Sequence, residues 1–185
     1  MKILATVLAL AALTAVVVLS VAHCGVADVA ATTPHAGPVE WFLVAARDSA
    51  VERGARGLAP PAFDDPLLLR KGATLYHRQC ALCHGAPGFD PAPLALGLNP
   101  LPPELHLATR GGGDERAASA ARTFWITKHG LKMTGMPAFG VAFEDDELWA
   151  VTAVVERLPE LTAGEYAAMV RAAGTPATPG TSAAP

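Results

Sequence analysis

Cysteines stand at positions 80 and 83 and a histidine follows at once, in the run Gln79-Cys80-Ala81-Leu82-Cys83-His84-Gly85. Two thiols three residues apart lie about one helical turn from each other. They can add across the two vinyl groups of one haem, and the histidine then falls beneath the iron with an imidazole nitrogen to offer. Cys-x-x-Cys-His is the sequence signature of that attachment. The pattern predicts one covalent haem c with its iron, Cys80 and Cys83 as thioethers and His84 as a metal ligand. The rival chemistry is thiol–disulfide exchange. That calls for a βαβ setting with the first cysteine opening a helix, whereas this pair follows a predicted helix.

Iron with one histidine needs a sixth ligand or keeps an open position. The chain holds Met1, Met133, Met136 and Met169. In Thr134-Gly135-Met136-Pro137-Ala138-Phe139-Gly140 the glycine and proline set Met136 on a short, stiff, non-helical loop, which is what delivering a thioether requires. A thioether is a soft donor that favours Fe(II) and raises the potential relative to two histidines. Met133 is the competitor, but it adjoins Lys132 and no proline follows it. His77, His106 and His129 read as ordinary polar residues, with His129 within conceivable reach of a haem propionate.

The elements that must position these residues are helical. A net charge of −3 over 185 residues leaves no nucleic-acid footprint. Residues 3–22 form an uncharged run long enough to span a bilayer core. It exceeds the usual hydrophobic region of a cleavable signal, although Ser20-Val21-Ala22 would suit a signal peptidase. Residues 1–22 are therefore expected to be a transmembrane anchor or a signal, with retention favoured. Lys2 keeps the N-terminus cytoplasmic and sends the rest outward. Cys24 follows His23, which makes a poor lipobox, so it reads as a thiol at the membrane edge.

Residues 23–61 read as a linker with an amphipathic helix at 39–55. That helix could rest at a membrane interface through Trp41 or pack on the next domain. Residues 62–172 form the haem domain. A helix is predicted over 66–77, capped by Asp64 or Asp65 with Pro66 at its first position. Gly72 inside it implies close approach of another helix. The proline-rich stretch after Gly88 should wrap the haem, with Leu94, Leu96, Leu98 and Leu101 covering it. Further helices are predicted over 114–129, ended by Gly130; over 145–158, with Trp149, Val151, Thr152 and Val155 facing inward; and over 162–172, opened by the capping box Thr162-x-x-Glu165. Residues 173–185 read as a disordered tail. No strand-like alternation is visible, so the fold class is all-α.

Gly72-x-x-x-Tyr76-x-x-x-Cys80-x-x-Cys83-His84 resembles the opening of a class I cytochrome c domain. The run from Phe124 to Gly140, with Gly130, Thr134, Gly135, Met136 and Pro137, is similar to the methionine loop of bacterial membrane-anchored monohaem cytochromes c. The resemblance spans about residues 62–160. It implies a cytochrome c-like helical haem domain behind an N-terminal transmembrane helix. It also implies thioethers at Cys80 and Cys83, axial ligation by His84 and Met136, and packing of the Gly72/Tyr76 helix on the Trp149 helix. In such domains a prolyl carbonyl receives the proximal histidine's other N–H, and Pro102 is the pick within 100–103.

The expected function is single-electron transfer between redox protein partners on the periplasmic side of the inner membrane. The chain is expected to be no enzyme by itself, though it could be the cytochrome subunit of a dehydrogenase or oxidase. A haem enzyme or gas sensor with a displaceable sixth ligand is the alternative. Arg122, Lys128 and Lys132 occupy a stretch free of acidic residues between Glu115 and Glu144, and could form a docking face for an acidic partner.

Overall fold

The computed structural model describes residues 2–109, 113–172 and 174. The chain divides into two units, Met1–Pro34 and His35–Pro185. The first holds α1, Lys2–His23, whose described residues are all exposed. At 1.5 Å per residue its 22 residues reach about 33 Å, which matches a hydrocarbon core of about 30 Å. By length and composition it is the one described helix that could cross a membrane.

The second unit is helical, and among the described residues its only β-type pairing is a single bridge between Ala86 and Phe89. Its helices are α2 (Gly37–Ala55), α3 (Pro66–Gln79), α4 (Ala81–His84), α5 (Gly113–His129), α6 (Asp145–Arg157) and α7 (Ala163–Ala172). Local chemistry sets their ends. Asp65 caps α3 by accepting from the Leu67 N–H at 2.8 Å, with Pro66 at the first helical position. α3 outlasts the predicted end at His77 because the Cys80 N–H still reaches the Tyr76 carbonyl. Gly130, at φ +66°, closes α5 in the left-handed region. Glu144 and Glu147 form a capping box at α6, as Thr162 and Glu165 do at α7. The expected disordered tail lies outside the described residues, Gly174 apart.

The core is built where α3 crosses α6. Leu69, Ala73 and Tyr76 pack against Val151, Val154, Val155 and Leu158, and Tyr166 and Val170 of α7 complete the cluster. Gly72 makes the crossing close. A Cβ there would overlap the Ala150 carbonyl and lie 3.0 Å from Val154 Cγ2. α5 joins α6 through Phe124 stacked on Trp149, with ring centroids 3.9 Å apart at 10°. α2 lies on α5. Gly54 sits against the Trp125 indole, Val51 and Ala55 are buried, and Glu52 pairs with Arg122 at 3.1 Å. Of the two placements open to this helix, its C-terminal half takes packing, while Trp41 and Phe42 stay exposed.

Candidate functional site

The Cys-x-x-Cys-His run sits on the turn that joins α3 to α4. Cys80 ends α3, and its carbonyl accepts from both the Cys83 N–H at 3.0 Å and the His84 N–H at 2.9 Å. That single helical turn sets the spacing of the two thiols. Gly85, at φ +60°, breaks it, and a side chain there would meet the Phe89 carbonyl at 3.0 Å. The buried Tyr76 hydroxyl donates to the Gly85 carbonyl at 2.7 Å and ties the turn back to the α3–α6 core. Burial, with a smaller contribution from the neighbouring Cys83, pushes the Cys80 thiol up to about 12. A thiol so hard to ionise is a poor nucleophile for disulfide exchange.

His84 is held from one side. Its Nδ1–H donates to the Pro103 carbonyl at 2.8 Å, so Nε2 is the nitrogen free to coordinate. Pro102 was the expected acceptor and Pro103 takes the role. The four carbonyls from Pro100 to Pro103 are alike in local sequence, and only the path of the chain past the imidazole decides which one it meets. Burial lowers the His84 pKa, and the Pro103 carbonyl raises it in part. The neutral imidazole so favoured is the metal-binding form.

Met136 sits on a loop bound to itself. The Leu131 N–H reaches the Met136 carbonyl at 3.1 Å, and the Met136 N–H reaches Thr134 Oγ1 at 3.0 Å. Thr134 Oγ1 in turn donates to the Leu131 carbonyl at 2.8 Å. Gly130 and Gly135 leave room for this loop. A Cβ on Gly130 would be 2.7 Å from the Pro137 and Ala138 backbone, and one on Gly135 would be 2.8 Å from the Leu98 side chain. Met133 is 92% exposed, on the apex of the turn at φ +63°. Thr134 is a holding residue that the sequence reading passed over. A hydroxyl two residues before Met136 is an ST-turn signal that could have revealed it.

Cys80, Cys83, His84 and Met136 line one cavity of about 810 Å³. That is cofactor-sized. Tyr76, Val151 and Val155 come to it from the core, and Leu98, Leu101 and Leu105 from the proline-rich stretch. Leu98 and Leu101 thus cover the cavity as expected. Leu94 and Leu96 do not, because their short 3-10 turn, Pro93–Gly97, turns Ala95 inward and leaves both leucines exposed. His77 meets the Tyr166 hydroxyl at 3.1 Å and His129 packs on Trp125, so neither is on the cavity wall. The donor set fits haem c: two thiols one turn apart, an oriented imidazole, and a thioether in the same apolar cleft.

The expected basic docking face is largely neutralised. Lys128 pairs with Asp145 at 2.7 Å and Arg122 with Glu52 at 3.1 Å. Both partners come from other helices, so a stretch without acidic residues in sequence is not one in space.

Residues 68–153 match the family model described as cytochrome C oxidase, cbb3-type, subunit III. No curated protein and no solved structure matches the chain significantly. The matched span runs from α3 into α6 and takes in the Cys-x-x-Cys-His turn, the Pro103 carbonyl and the Met136 loop. With that match, an all-α fold and one attachment motif, the chain carries a monohaem c-type cytochrome domain, an electron-transfer domain whose haem c is covalently bound.

Proposed function

We propose that this cytochrome is held to the inner membrane by α1 and passes single electrons between redox proteins on the periplasmic side. In this reading Cys80 and Cys83 would form the thioethers, and His84 and Met136 would ligate the iron. The chain then performs no bond-making chemistry of its own. It can serve as the cytochrome subunit of an oxidase, as subunit III of the cbb3-type oxidases does in the matched family, or as a freestanding carrier. The observation that carries the reading is the convergence of Cys80, Cys83, His84 and Met136 on one apolar cavity. The length and exposure of α1 support the tether. Haem c is attached outside the cytoplasm, which supports the periplasmic side.

Each side chain has its own task. The α3–α4 turn presents two thiols to one edge of the macrocycle. The Pro103 carbonyl fixes the His84 tautomer and ring angle and raises the imidazole's basicity as a ligand. The Thr134 and Leu131 hydrogen bonds hold the Met136 loop without the iron, so little reorganises when the charge changes. The apolar wall excludes water and favours the reduced state.

The test is the spectrum of the purified protein. Alkaline pyridine haemochrome spectra should show a c-type haem that acid–acetone does not extract, in one copy per chain. The ferrous protein should bind CO poorly at neutral pH. Rapid, full CO binding would instead support the gas-sensor or enzyme alternative.

A further inference from the structure

α2 lies outside the matched span of 68–153, yet Arg47, Asp48, Val51 and Glu52 of α2 line the cavity. Glu52 meets Arg122 of α5 there. Of the described lining residues, Arg47 and Arg122 are the only lysines or arginines. Each is tethered: Arg47 to Asp48 at 2.7 Å, and Arg122 to Glu52 at 3.1 Å. Both side chains are 40% exposed.

A haem brings two carboxylates of its own. Its vinyl groups occupy two adjacent pyrroles and its propionates the other two. Once Cys80 and Cys83 fix the vinyl edge to the α3–α4 wall, the propionates belong to a wall made by other elements. Two anions entering an apolar cleft need cationic, hydrogen-bonding partners. Guanidinium groups suit carboxylates because they can bind them bidentately.

We propose that α2 completes a haem-edge clamp: Arg47 of α2 and Arg122 of α5 bind the two propionates. Asp48 and Glu52 hold the arginines in place and set the local charge. Two arginines, two side-chain carboxylates and two propionates sum to −2, so this edge favours ferric iron and each arginine offsets part of that preference. The other titratable side chains on the cavity wall are Tyr76, Cys80, Cys83 and His84, and none of them adds a fixed cation. The inference rests on the haem reading above, and it gives α2 a task in setting the potential that the matched region does not contain.

The experiment uses the full-length haem-loaded protein at one neutral pH. Spectroelectrochemistry gives the reduction potential, and resonance Raman gives the propionate bending mode. Arg47→Gln and Arg122→Gln should each lower the equilibrium constant for reduction, by up to about tenfold, which is 59 mV for a one-electron couple. Both should shift the propionate mode. Arg47→Lys and Arg122→Lys should recover most of the potential. Glu52→Gln should move the potential the opposite way. Arg53→Gln, one residue on from Glu52 and outside the cavity lining, is the control. Haem-loaded Gln variants that match Arg53→Gln in both potential and propionate mode would overturn the clamp. A wild-type chain without covalent haem would instead overturn the haem reading itself.

Discussion

Replacing Gly72 by alanine should destabilise the haem domain, although alanine is the better helix former. The gain is at most about 1 kcal/mol from the lost flexibility of glycine in a helix. The cost comes from α6. The new Cβ would overlap the Ala150 carbonyl carbon and oxygen and touch Val154 Cγ2 at 3.0 Å. A backbone carbonyl inside a helix cannot rotate away as a side chain can. α3 and α6 must then part by about 1 Å to restore ordinary non-bonded separations, and a gap of that size forfeits about a quarter to a half of each dispersion contact. The contacts at risk are those of Leu69, Ala73 and Tyr76 with Val151 and Val154, which are the centre of the core. Overpacking of this kind costs about 1–3 kcal/mol, so the net loss should be about 1–2 kcal/mol. For a domain of this size that lowers Tm by about 3–10 °C. Thermal unfolding of the haem-loaded protein, followed by far-UV circular dichroism, measures it. A Tm equal to or above that of the wild type would refute the claim that this crossing requires glycine.

Tyr76→Phe should cost about 1–3 kcal/mol by leaving the Gly85 carbonyl buried without its donor, read as a lower urea midpoint. His77 is held below its ordinary value by burial, so the unfolded chain binds more protons as pH falls below about 6.5. Its contribution is therefore intact above that pH and is lost as pH drops through the folded value; Tm measured from about pH 7 to pH 5 should fall less steeply in His77→Gln. Mature protein should sediment with membranes and resist high salt but not detergent, and release by salt with a new N-terminus near His23 would show that α1 is cleaved.

Much of the site was legible because it is local. Cys80, Cys83 and His84 act through one helical turn, and the Asp65-Pro66, Gly130 and Thr162-x-x-Glu165 signals each concern a helix end whose chemistry lies within four residues. Gly72 and Tyr76 were legible for a different reason. A glycine within a helix is costly unless something approaches it, and the Ala150 carbonyl does. What escaped the sequence depends on partners remote along the chain. Pro103 rather than Pro102 meets His84 across a separation of 19 residues, in a run of prolines that look alike locally. Lys128 and Arg122 looked unopposed, but Asp145 and Glu52 reach them from α6 and α2. The entry of Arg47 into the cavity depends on how α2 lies on α5, and no motif announces that. Leu94 and Leu96 turned outward because a 3-10 turn has a period of three, so it buries one residue where an extended stretch would bury alternate ones.

The pairing of His84 with Met136 across one iron is tested most directly by the ferric absorption spectrum of two variants beside the wild type. The wild-type protein should show the sulfur-to-iron charge-transfer band. Met133→Ala, at an exposed turn apex, should keep it. Met136→Ala should lose it, retain the covalent haem, and open the iron to added ligands. A band that persists in Met136→Ala would contradict the assignment, and so would its loss in Met133→Ala.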